Sequence, residues 1–117
     1  MIKVKILIVD DEEDYCLIMK SYFEKKGHEV FVAFNLTEGL KMLEDKRPDI
    51  LFLDNNLPDG EGWDQTEEIS QLYPGLQINL ISAYKQKPTN FSNFSNVKFW
   101  EKPLSISSLD EVFSISA

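Results

Sequence analysis

The 117-residue sequence contains a single cysteine and only five glycines and five prolines. One thiol, Cys16, closes no disulfide within the chain. Its helical spacing inside an apolar stripe marks it as a small core residue in a reducing compartment. Long apolar runs are missing too. None is longer than the five residues of Val30 to Phe34, far below the ~18 residues of a membrane span, and the N-terminus lacks the apolar region of a signal peptide. The expectation is a soluble, cytoplasmic protein with no membrane contact. Basic residues are scarce as well: 12 Lys and Arg face 20 Asp and Glu, a net charge of −8. Such a surface repels a phosphate backbone, so direct binding of nucleic acid is not expected. What is present suffices for one core. With 43% hydrophobic and 12% aromatic residues, a chain of this size buries roughly two-thirds of the surface its unfolded form exposes. Disorder is excluded on that ground, and residues 1–117 are expected to form a single domain.

Short β-branched apolar runs alternate with stretches of helical periodicity, the pattern of βαβ units around a parallel sheet. Val4 to Val9 reads as a buried strand. Tyr15, Ile18, Met19, Tyr22 and Phe23 then form one helical stripe, ended by Lys25, Lys26 and Gly27. Val30 to Phe34 is a second strand, after which Asn35 and Glu38 resemble a capping box for a helix carrying Leu36, Leu40 and Leu43 inward until Pro48. Ile50 to Leu53 is a third strand, followed by a loop through Gly62. Trp63, Ile69, Leu72 and Tyr73 suggest a helix stopped by Pro74-Gly75. Leu76 to Ser82 and Val97 to Trp100 supply two more strands, and Leu109, Val112 and Phe113 a short last helix, with Ser108 and Glu111 as a possible capping pair.

The runs Ile6-Leu7-Ile8-Val9 and Ile50-Leu51-Phe52-Leu53 are apolar without alternation, as strands covered on both faces must be. Each ends abruptly in acid: Asp10 and Asp11 after the first, Asp54 after the third. Where strands one and three of a doubly wound sheet are neighbours, their carboxyl ends flank the ligand-binding crevice, and three carboxylates share it. Like charges so close call for a hard divalent cation with oxygen ligands, Mg²⁺ foremost. The same acids also suit a helix N-cap and first turn, and Glu12, Glu13 and Asp14 are assigned to that solvated turn. An EF-hand is excluded, because the loop from Asp54 has Pro58 and Asp59 where a ligand and glycine are required. Ser82 and Lys102 end the last two strands and face the acidic crevice from its other side. Alone, each is an ordinary turn former or solvated charge. Together, a carboxylate nucleophile, a cation site, a hydroxyl and an ammonium are the groups that phosphoryl transfer onto Asp needs.

The segments Ile8-Val9-Asp10-Asp11, Leu53-Asp54-Asn55-Asn56-Leu57-Pro58-Asp59-Gly60, Ile81-Ser82-Ala83 and Trp100-Glu101-Lys102-Pro103 resemble the signature set of response-regulator receiver domains, in order and across nearly the whole chain. The resemblance implies a flavodoxin-like α/β fold, a doubly wound five-stranded parallel sheet of order 2-1-3-4-5 with helices on both faces. It implies Asp54 as phosphoacceptor, Asp10 and Asp11 as the acidic pair holding Mg²⁺, and Asn56 as a backbone carbonyl donor to the metal. Ser82 matches the switch hydroxyl, Lys102 the lysine paired with the phosphoryl group, and Phe99 the aromatic switch, although a strand aromatic is ordinarily core. Asn56 and Tyr84 match positions that tune phosphate lifetime. The implied partners are a sensor histidine kinase or phosphotransfer protein and a downstream effector domain or protein. The only reactions implied are self-phosphorylation from a phosphodonor and slow self-dephosphorylation. Between Ser82 and Lys102 the chain is short for the family. Pro88 and the run Thr89 to Asn96, whose Thr, Asn and Ser each cost roughly 0.5 kcal/mol relative to Ala in a helix, predict a fourth helix that is short, displaced or irregular, pinned only by Phe91 and Phe94.

Two other readings compete. A haloacid-dehalogenase-like Mg²⁺ phosphatase also uses Asp after a parallel strand, but it needs a second Asp two residues on, where this chain has Asn56. A degenerate receiver that only binds proteins would have lost part of the set Asp10, Asp11, Asp54, Ser82 and Lys102, which here is complete.

Overall fold

The computed structural model of the chain describes residues 3–83, 95–102, 104–105 and 107–110. Its centre is a parallel sheet of β1 (Lys5–Val9), β2 (Glu29–Ala33), β3 (Ile50–Asp54), β4 (Gln77–Ser82) and β5 (Val97–Glu101), ordered β2-β1-β3-β4-β5. This is the order the resemblance implied. Between the strands run α1 (Glu13–Lys25), α2 (Leu36–Lys46) and α3 (Thr66–Leu72), and residues 107–110 are helical.

Two-residue periodicity divides the core. Leu7, Val9, Leu51, Leu53, Ile78 and Leu80 pack on one face with Leu36, Leu43 and Ile69 of α2 and α3. Ile6, Ile8, Ile50, Phe52 and Ile81 pack on the other with Cys16, Met19 and Phe23 of α1 and with Leu109. Alternate side chains of a strand point to opposite faces, so covering both faces demands the unbroken apolar runs seen in the sequence. All five residues of β3 are buried.

The helices begin and end for local reasons. α1 closes in a Schellman motif: Gly27 adopts φ 91°, its N–H reaches the Glu24 carbonyl at 3.0 Å, and the His28 N–H reaches that of Phe23 at 3.2 Å. α2 starts at Asn35, whose side chain accepts the Glu38 N–H at 2.8 Å. It stops at Lys46, because Pro48 disfavours helical backbone at Arg47, and Arg47 turns to φ 49°.

Several expectations need correction. The buried stripe of α1 is Cys16, Met19 and Phe23. Ile18, one residue and ~100° of helical turn from Met19, is 68% exposed. In α2 Gly39 joins Leu36 and Leu43 in the buried stripe, with Leu40 half-buried. Trp63 lies in a 3₁₀ turn (Gly62–Gln65) ahead of α3, and Leu72 faces outward at the helix end, 61% exposed. β2 ends at Ala33, leaving Phe34 partly exposed. Of the segment predicted to form a weak fourth helix, residues 85–94 lie outside the described residues, as do Tyr84, Pro103, Glu111, Val112 and Phe113, while Ser95 and Asn96 form a turn leading into β5.

Candidate functional site

In-register pairing sets the carboxyl ends of the strands side by side. Val9 lies opposite Leu53, Asp54 opposite Ile81, and Ser82 opposite Glu101. The residues that end or follow these strands, Asp10, Asp54, Ser82 and Lys102, therefore share one rim. The Lys102 N–H completes the alignment by donating to the Ser82 carbonyl at 2.8 Å.

Asp10 is fully buried. Its Oδ1 accepts the Glu12 N–H at 3.0 Å, the local turn that Asp side chains favour, and its backbone carbonyl accepts the Cys16 thiol at 3.3 Å. Asp10 is thus not the cap of α1; that position is Glu12, whose side chain makes no capping hydrogen bond. Asp11 is exposed, and Asp10, Asp11 and Asp54 each offer a carboxylate oxygen within 4.8 Å of the others. Burial, and after it the neighbouring Asp10 charge, push Asp54 up to about 7, with the Lys102 ammonium pulling the other way. Burial likewise raises Asp10, against hydrogen bonding from Lys102 and Glu12.

Lys102 reaches into this cluster with its side chain 9% exposed. Its Nζ lies 2.7 Å from Asp10 Oδ2, 2.8 Å from Glu12 Oε1 and 3.6 Å from Asp54 Oδ1, and 5.0 Å from the centre of the Tyr15 ring. Burial opposes its charge, but hydrogen bonds to Asp10 and Glu12 and the charges of Asp10 and Asp54 raise its pKa well above the usual lysine value.

The loop after Asp54 is held from several sides. Asn55 Oδ1 accepts the Trp63 N–H at 3.2 Å and its carbonyl the Gly62 N–H at 3.1 Å. Asn56–Leu57 pairs with Gly60–Glu61 in a small hairpin, leaving Asn56 exposed. In the turn of that hairpin, Asp59 accepts the Leu36 and Thr37 N–H groups at 2.7 and 2.8 Å and the Thr37 hydroxyl at 2.7 Å. These bonds hold its carboxyl down at about 2 and tie the loop to the start of α2. Gly62 runs so close to the Asp54 carbonyl that a Cβ there would overlap it.

Ser82 is buried at the end of β4. Phe99 is half-buried in β5, its ring edge-to-face with Trp63 at 5.4 Å, an arrangement compatible with a core aromatic and with a mobile one. Three polar features escaped the sequence reading. Glu12, assigned to a solvated turn, pairs with Lys102. Asp59 anchors α2. Asn79, fully buried in β4, accepts the Trp100 indole N–H at 2.8 Å. Each partner lies 21 to 90 residues away in sequence, so no local pattern announced it.

The donor set fits a hard divalent cation. The three carboxylates converge, Asp54 resists ionising without a counter-charge, and the buried Asp10 Oδ2 has the Lys102 ammonium as its sole partner among the described residues.

Known proteins resemble the chain along most of its length. A family model described as the response regulator receiver domain matches residues 6–113. Sporulation initiation phosphotransferase F of Bacillus subtilis (strain 168) is 29% identical over 84 residues, 72% of this chain and 68% of that protein. Transcriptional regulatory protein YxdJ of the same organism is 37% identical over 79 residues, 68% of this chain but 34% of that protein, so the chain spans about a third of its length. A CheY-like response regulator receiver domain protein from Methanospirillum hungatei JF-1 superposes with a TM-score of 0.80 at 30% identity, covering 94% of this chain and 90% of that one. A two-component response regulator from Clostridium difficile does so with a TM-score of 0.81 at 28% identity, covering 95% and 93%. With a family model matched over nearly all its residues, this chain belongs to the response regulator receiver domains of two-component signalling.

Proposed function

We propose that the chain, as one receiver domain, takes a phosphoryl group onto Asp54 from the phosphohistidine of a sensor histidine kinase or phosphotransfer protein. The change then passes to a downstream effector domain or protein. The observation that carries this reading is the convergence of Asp10, Asp11, Asp54 and Lys102 at the carboxyl ends of neighbouring strands.

An Asp54 carboxylate oxygen attacks phosphorus, the P–N bond breaks, and the departing imidazole keeps the electron pair and takes up a proton. An acyl phosphate results. Asp10, Asp11, Asp54 and the Asn56 carbonyl would hold Mg²⁺, which supplies charge neutralisation for the transferring oxygens. Lys102 adds a cation beside Asp10 and Asp54, and the Ser82 hydroxyl donates to a phosphoryl oxygen. Once the acyl phosphate exists, its extra charge draws Ser82 and Lys102 toward it, and Phe99, packed on Trp63, moves inward with them.

Incubation with a small phosphodonor and Mg²⁺ tests the reading by intact mass. The wild type gains one phosphate, Asp54→Asn gains none, and removal of Mg²⁺ by a chelator suppresses the gain. Full labelling of Asp54→Asn would sink the proposal.

A further inference from the structure

Lys102 is largely shielded from solvent: its side chain is 9% exposed and its ammonium lies over the Tyr15 ring. Its position is therefore a choice among the carboxylates around it. At 2.7 Å from Asp10 and 2.8 Å from Glu12 it is held by two partners, while Asp54 Oδ1, at 3.6 Å, lies outside hydrogen-bond reach. The two engaged partners differ in kind. Asp10 is fully buried and fixed by the Glu12 N–H, so it cannot leave. The Glu12 side chain is 60% exposed, so its carboxylate can return to water at little cost once released.

From this asymmetry we infer that Glu12 is a positioning residue that withholds Lys102 from Asp54 until a phosphoryl group competes for it. The inference rests on the reading of Asp54 as acceptor. A phosphoryl group carries a charge of about −1.5 to −2, more than the single charge of Glu12. The ammonium then exchanges Glu12 for a phosphoryl oxygen, Asp10 stays in place, and the Glu12 carboxylate becomes solvated. Glu12 thereby sets how firmly the site resists and then holds the modification, without touching the reacting atoms.

Beryllofluoride, a tetrahedral phosphoryl mimic, tests this with Mg²⁺ present and fluorine NMR reporting bound and free probe. Glu12→Gln binds the mimic about two- to fivefold more tightly than wild type, the scale of one exposed ion pair, while the amount bound at saturation is unchanged. Glu13→Gln, on the exposed first turn, matches wild type. In a Lys102→Ala background both forms bind more weakly and Glu12→Gln confers no gain, since no ammonium is left to withhold. Equal affinity of wild type and Glu12→Gln overturns the inference. So does a gain that persists without Lys102, which would reduce Glu12 to general charge repulsion. A wild type that binds no beryllofluoride overturns the phosphoacceptor reading itself, and this inference with it.

Discussion

Asp54 sits where a carboxylate is least comfortable, at the buried end of a fully buried strand and beside a second buried acid. Its value of about 7 against roughly 3.9 in the unfolded chain fixes the sign of its effect on stability. Below about pH 4 both states bind the proton and the residue costs nothing. Between about pH 4 and 7 the unfolded chain ionises while the folded one resists, so the penalty on folding grows, and above about pH 7 it is constant. Metal-free Asp54→Asn is therefore more stable than wild type by on the order of 1–3 kcal/mol above pH 7, and the advantage shrinks toward zero as the pH falls to 4. Urea denaturation across that range in a chelator checks this. A wild type equal to the variant at pH 8 contradicts it. Asp10, Asp54, Ser82 and Lys102 were legible in the sequence because each interrupts or follows an apolar strand. Glu12 was not, because its partner is 90 residues away and a charge in a first turn ordinarily needs no partner but water.

Among the elements, the loop from Asn55 to Gly62 is tied down on both sides of Asp54's strand end. It is bonded to Trp63 through Asn55 and to the start of α2 through Asp59, and it passes directly over the Asp54 carbonyl at Gly62. Backbone cannot yield as a flexible side chain would, so Gly62→Ala must displace either the loop or the end of β3. The expected cost is about 1–3 kcal/mol of stability together with weaker Mg²⁺ binding, read by denaturation and by metal titration of the same sample. An alanine variant with native stability and unaltered Mg²⁺ affinity would contradict the close approach. The glycine was visible in the sequence only as a turn former. The helices show the same limit: apolar residues marked α1 and α3, but Ile18 and Leu72 point outward, since hydrophobicity alone does not fix the angle of the buried stripe. The caps at Asn35 and Gly27 were legible, because capping is local chemistry.

Across the whole molecule, the net charge of −8 makes general repulsion and specific cation binding separable. On the proposed function, millimolar Mg²⁺ is expected to bind only where folding has assembled Asp10, Asp11 and Asp54 and so to raise Tm by native-state binding. Sodium chloride at matched ionic strength screens only general repulsion. The wild type gains several degrees from Mg²⁺ beyond the sodium control and Asp11→Asn gains none; equal gains in the two proteins would contradict the site. The parallel architecture was legible from unbroken apolar runs, whereas the strand order came from resemblance, since periodicity does not say which strands are neighbours. The proposed function makes Asp54 the phosphoryl acceptor. Borohydride cleaves an acyl phosphate and reduces that side chain to homoserine, marking the residue permanently. After treatment with a small phosphodonor and Mg²⁺, peptide mapping is expected to find homoserine at position 54 and nowhere else. Homoserine at position 10, 11 or 59 with residue 54 unmodified would contradict the account.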